Sequence, residues 1–184
     1  MFLEVFLTER IADNAAERLV KTYEDTIPDE LLAIWRTVGL GPVGGGLLVL
    51  VDPAEMMGEL AAWTGNVVGD RTLTPFLRTA FLDLFGWDGE QVWRVDVHLG
   101  QVFPTGLDME AFLDFWLTQD EVADIILRRP LWREARRVLG EPTSEEGFVF
   151  VPALCLGGDE EVGHVRRARW PEALSILRNL HGVG

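Results

Sequence analysis

The sequence predicts an α+β protein: small, mostly antiparallel sheets flanked by helices, in two closely packed subdomains. Three observations lead there. Capped amphipathic helices occupy both ends of the chain, residues 73–103 alternate with period two, and helices and strands come in runs rather than in βαβ order.

Ile11, Ala15, Leu19 and Tyr23 recur at helical spacing and predict a first helix over residues 8–24. In the second helix Thr26 is the expected cap, and Pro28 sits in the first turn, where its missing N–H costs nothing. Asp29 and Glu30 suit the positive end of that helix, Leu31, Leu32, Trp35 and Val38 form its apolar face, and Gly39 closes it. The glycine-rich stretch GLGPVGGG then leads into an apolar strand, residues 47–51. Asp52, Pro53 and Glu55 open a third helix, with Met56, Leu60 and Trp63 facing inward and Gly65 at its end. Trp35 and Trp63 are therefore expected in the core.

Further on, Trp93, Val95 and Val97 alternate with Arg94 and Asp96, between turns at Asp88-Gly89 and Leu99-Gly100. FLDLF, EQVWRVDVHL and QVF read as an antiparallel meander. PTGLD (104–108) marks a boundary between residues 1–106 and residues 107–184, with Asp108 as the next helix cap. Phe112, Phe115 and Trp116 mark one helix. Thr118 and Glu121 form a capping box before another, whose Val122, Ile125 and Ile126 are expected inside. PLWREARRVLG gives a helix ended by Gly140. The strand GFVFV, the segment PALCLGG, a strand around 164–168 and a helix carrying Leu174, Leu177 and Leu180 complete the chain.

Composition narrows the function. A chain of 184 residues with 48% hydrophobic side chains and seven Trp builds a packed core. Its 16 basic and 30 acidic residues give a net charge of −14. A pI near 4.5 disfavours nonspecific binding to nucleic acid or to anionic membranes, both of which need surplus cations. The acidity is confined to the front: residues 1–127 carry 22 acids against 7 bases, residues 128–184 carry 8 against 9. Such a surface either solubilises or docks a basic partner. The single Cys155 leaves no internal disulfide and suits a reducing cytoplasm; within ALCL it reads as a small buried side chain. The densest apolar run, 47–51, is too short to span a membrane, and Glu4 interrupts what a signal peptide would keep apolar. A cytoplasmic protein is expected.

Catalytic patterns are thin. Gly39, Gly41 and Gly44 spell G-x-G-x-x-G, but a helix enters this loop and a strand leaves it, the reverse of a dinucleotide fingerprint. No Gly-Lys-Ser/Thr follows, Lys21 being the only lysine. His98, His164 and His181 are isolated, and neither Ser144 nor Ser175 has a nucleophile-elbow context. Asp83 and Asp88 either pair across a bend as general acid and base, or divide, one capping a turn and the other facing solvent. Asp159, Glu160 and Glu161, after Gly157-Gly158, lack calcium-loop spacing and read as a solvated loop or an anionic tip. No cofactor or metal is expected.

Three segments taken together carry a resemblance. IPDELLAIWRTVGLGPVGGGLLVLVDPAE and LRTAFLDLFGWDG resemble successive blocks of the GAD-like domain family, and GFVFVPALCLGG resembles the signature of the small C-terminal domain usually fused to it. The arrangement is similar to immunity proteins paired with DNase toxins of the type VI secretion system, and its front half to the wider SUKH group. The matched positions, among them Pro28, Trp35, Gly46, Pro53, Phe81, Pro152, Gly157 and Gly158, read as fold-defining. What the resemblance implies is a non-catalytic bacterial inhibitor that binds a cognate toxin, expected to be a basic nuclease, and neither nucleic acid nor membrane directly. Asp159, Glu160 and Glu161, with Asp83 and Asp88, are the candidate toxin contacts. The competing expectations are a SUKH-like scaffold without a toxin partner and an acidic-surface enzyme using a carboxylate pair.

Overall fold

The computed structural model describes residues 14–183. Asn14–Tyr23 (α1) and Asp29–Val38 (α2) open it as a helical pair; Ile11, assigned to the first helix from its spacing, lies outside the described residues. Thr26 does not cap α2. Its hydroxyl donates to the Tyr23 carbonyl at 3.2 Å, and Pro28 starts the helix without a side-chain bond. Leu31, Leu32, Trp35 and Val38 are all buried, and Gly39 ends the helix with φ 80°.

The glycine-rich stretch is more ordered than its composition suggests. Gly41–Val43 forms a strand (β1) and pairs antiparallel with Leu48–Leu50 (β2) around a single turn of 3₁₀ helix, Gly44–Gly46. Pro53–Thr64 (α3) follows, its N-terminus capped by Asp52, which accepts from the Ala54 N–H at 2.9 Å. Thr74–Thr79 (β3), Leu84–Trp87 (β4), Val92–Asp96 (β5) and Gln101–Pro104 (β6) extend the sheet by sequential antiparallel neighbours, so its order is β1-β2-β3-β4-β5-β6. Period two then divides the core. Leu48 and Leu50 face one apolar cluster with α1 and α2, while Val49 and Val51 face the other with α3.

The segment after Asp108 departs most from its predicted form. Asp108 caps it as expected, accepting from the Ala111 N–H at 2.8 Å. Ala111–Trp116 and Val122–Ile126 are then π-helical turns, in which Leu117 N–H reaches the Phe112 carbonyl and Leu127 N–H the Val122 carbonyl. A five-residue bond span shifts the inward face away from the 3.6 period. Ile125, expected inside, is 65% exposed as a result, as is Phe115. Thr118 donates back to the Asp114 and Phe115 carbonyls instead of capping.

Arg129–Leu139 (α4), the antiparallel pair Glu146–Phe150 (β7) and Val165–Arg169 (β8), and Trp170–His181 (α5) complete the fold. Leu174 and Leu177 are buried, whereas Leu180 is 42% exposed. Both clusters cross residue 107: Phe148, Phe150 and Val165 join the first, Val149, Ala153 and Leu174 the second. One close approach is at β7. Phe148 N–H donates to the Ala80 carbonyl at 2.8 Å, and a side chain on Gly147 would collide with Leu82. No described helix is long and apolar enough to cross a membrane.

Candidate functional site

The tight turn between β3 and β4 organises the most polar part of the interior. Thr79 Oγ1 accepts from the Phe81 and Asp83 N–H groups, and Leu82 takes a left-handed φ of 70°. This drives Asp83 inward, where it is fully buried. Its Oδ2 accepts from Arg94 Nη2 at 3.0 Å and from Arg128 Nη1 at 3.1 Å. Asp96 completes a square: it accepts from Arg94 Nη2 at 2.8 Å and lies 3.7 Å from Arg128 Nη2. The other oxygen of Asp96 receives the His98 and Leu99 N–H groups. Two carboxylates and two guanidiniums thus neutralise one another away from water, the condition under which buried charge is tolerated.

Arg128 reaches this square from beyond the boundary segment. It adopts a left-handed φ of 55° just before α4, an uncommon conformation for a side chain of its size. Its Nε donates to Glu160 Oε1 at 2.8 Å, and its guanidinium lies 5.8 Å over Phe81 and 6.0 Å over Phe150, rings themselves stacked at 5.5 Å. Burial alone would lower the Arg128 guanidinium; Asp83, Asp96 and Glu160 outweigh it and hold the group above the usual arginine value. Arg78 makes a second tie. It is buried without a carboxylate, donates to the Ser144 and Glu146 carbonyls at 2.7 and 3.1 Å, and is lowered to about 10 by desolvation.

His98 lies beside the square, fully buried. Its Nε2 donates to the Phe81 carbonyl at 2.7 Å, so Nδ1 is the unprotonated nitrogen, and it has no partner. Burial pushes the imidazole below the ordinary histidine value, against the pull of Asp83 and with the help of Arg128.

These positions correct the sequence-based assignments. Asp83 and Asp88 do not pair. Asp88 caps its turn as one alternative held, accepting from the Glu90 and Gln91 N–H groups, from Trp93 Nε1 and from Arg71. Although burial raises it, those donors together hold Asp88 below the ordinary carboxylate range. Neither faces solvent, since Asp83 is enclosed and the Asp88 side chain is 1% exposed. Both carboxylates are engaged by internal donors, which leaves no open site for proton transfer to a substrate and no free face for a partner. Cys155, read as buried, is exposed.

The acidic loop is built rather than loose. Val151 N–H donates to the His164 carbonyl, Gly158 N–H to the Ala153 carbonyl, and Asp159 N–H to His164 Nδ1. At Gly158 any side chain would strike the Pro152 carbonyl, so the signature's second glycine is required by this closure. Asp159 and Glu161 are exposed with no ion pair among the described residues, whereas Glu160 is turned back onto Arg128. Sequence distance hid that contact: the nearest bases along the chain are Arg166 and Arg167, but the partner in space is Arg128. Arg94, Asp96 and Arg128 were not singled out from the sequence. Two charged residues on one alternating strand, Arg94 and Asp96, were the available signal. Among the described residues, no group of three or more His, Cys, Asp or Glu could hold a metal ion.

Comparisons with known proteins find two family models along the chain. Residues 1–100 match the family model of the GAD-like domain. Residues 107–181 match that of the C-terminal domain of the type VI secretion system immunity protein Tdi1, which supports an immunity-protein role. A search of curated proteins finds no match. The crystal structure of Atu4351 from Agrobacterium tumefaciens is similar in fold, with a TM-score of 0.70 and 19% identity over 99% of this chain and 87% of that one.

Proposed function

The chain belongs to the GAD-like domain family, and from that membership we propose that it is an immunity protein which binds a cognate toxin and neutralises it by occlusion. The observation that carries the proposal is the match of residues 107–181 to an immunity protein of the type VI secretion system. Physical chemistry adds the character of the partner. A protein of net charge −14 with its acids concentrated in the first two-thirds complements a basic surface, and a nuclease needs one to hold DNA. The toxin is therefore proposed to be a secreted DNase that acts in the cytoplasm, where the inhibitor resides. Asp159 and Glu161, projecting from a closed loop, are its proposed contacts, with Glu160 in a mainly structural role. A preformed loop loses little freedom on binding, which favours affinity.

The test is co-expression with the product of the adjacent gene. Co-purification at fixed stoichiometry, together with protection of cells from that product, is the expected result. A neighbouring product that is not toxic, or whose toxicity persists beside this chain, would falsify the reading.

A further inference from the structure

The glycine-rich loop, which toxin binding leaves without a role, forms one wall of a cavity of about 440 Å³. The opposite wall is α4. Arg129, Arg133 and Arg136 fall at i, i+4 and i+7 and all line the cavity, as does Asp120, while Asp124 and Glu141 pair with two of these arginines from outside the lining. In a chain of net charge −14, five of the 16 basic residues lie between 128 and 137. The lining between the two walls is apolar, from Leu47, Leu117 and Ala123.

The cations are held in different ways. Arg129 is fixed by Asp120 and Asp124 at 2.8 and 2.6 Å. Arg136 is fixed by Glu141 and by the Trp132 ring, 4.7 Å beneath its guanidinium. Arg133 is exposed; its side chain has no hydrogen bond or ion pair among the described residues and feels Asp124 only through space. Two further donors, Trp132 Nε1 and Arg136 Nε, are buried without an acceptor. Gly45, at φ 67°, keeps the space open: a Cβ there would sit 3.2 Å from Arg136 Nη1 and 3.4 Å from Trp132.

We propose that this cavity binds a small phosphomonoester of mononucleotide size, its phosphate against the three arginines and its ring against the apolar lining. Guanidinium groups match phosphate oxygens in geometry and charge, and the volume lies within the range of small-ligand sites, roughly 300–1,000 Å³. Recognition here relies on arginine rather than on a helix N-terminus, so the inverted order of the glycine motif is no obstacle.

The experiment uses the purified full chain alone, so its outcome is independent of any toxin. AMP, inorganic phosphate and adenosine are titrated at low salt, followed by calorimetry and melting temperature. AMP is expected to bind and to raise the melting temperature, phosphate to compete with it, and adenosine to bind more weakly than AMP. Arg133→Gln should weaken AMP at least tenfold while leaving the unliganded melting temperature unchanged. Arg169→Gln, an exposed arginine outside the cavity, should bind AMP as the parent does. The proposal is overturned if neither AMP nor phosphate binds at millimolar concentration. It is overturned equally if Arg133→Gln binds unchanged, or if Arg169→Gln loses as much affinity, since diffuse charge would then explain the binding.

Discussion

Asp83 holds two guanidiniums from sequence-distant parts of the chain, and removing its charge leaves both of them buried and underpaired. Breaking a buried pair from one side costs about 3–5 kcal/mol. Asp83→Asn should therefore show that loss in urea denaturation, whereas Asp159→Asn, on exposed surface, should stay within about 0.5 kcal/mol of the parent. Equal effects would remove the distinction between the enclosed carboxylate and the exposed loop. His98 sets a pH dependence whose sign follows from its lowered folded value. Above about pH 6.5 the imidazole is neutral in both states and stability is full. Below it the unfolded chain takes up a proton that the folded interior refuses, so stability falls as pH drops toward the folded value. Asp83, Asp96, Arg128 and the Phe81 carbonyl all bear on this group, while His181 meets only the His98 backbone carbonyl. Replacing His98 by Gln should flatten the decline between pH 7.5 and 5.5, measured as the urea midpoint. At this scale the sequence was a partial guide. The cap at Asp52 and the turn at Asp88 were legible because their partners lie within three residues, while Asp83 and Glu160 are explained only by residues 11 to 45 positions away.

Among the elements, α2 followed from its apolar spacing and α3 from its spacing and its Asp52 cap, signals that act within a few residues. Trp35 and Trp63 are 0% and 1% exposed, as the faces of those helices predicted. Trp35→Ala should lower stability by about 3–5 kcal/mol, read from the thermal or urea transition. A variant that melted like the parent would contradict the core assignment. The π-helical turns were not legible, since the choice between four- and five-residue hydrogen bonds is made by packing around Phe112 and Trp116, which stack at 5.2 Å. Nor was β1, whose three residues, Gly, Pro and Val, have weak strand preference and are held by β2 alone. The closed loop offers an element-scale check. Gly158→Ala places a methyl group against the Pro152 carbonyl and should open the loop, increasing amide exchange at Gly158 and Asp159 relative to β7. Unchanged protection there would show that the glycine is dispensable.

At the scale of the molecule, charge acts on encounter more than on the bound state. The acids of residues 1–127 should accelerate association with a basic toxin, and salt screens that attraction over about 8–10 Å. Stopped-flow measurements with the identified toxin should find an association rate that falls as salt rises; a rate indifferent to salt would leave the acidity as a solubilising feature. The α+β class was readable from composition and periodicity, but the density of contact across residues 104–108 was not. Arg78, Arg128, Phe148 and Gly147 all bridge the two matched segments through contacts with no local sequence signature. The pairing of Arg128 with Asp83 and Asp96 also bears on ancestry. Two segments joined by a buried charge square cannot be exchanged freely between relatives, because a donor that supplied the arginine to a recipient lacking either aspartate would strand an ion in the interior. A chimera of this chain with a relative is therefore expected to fold only where the arginine and both aspartates are present together.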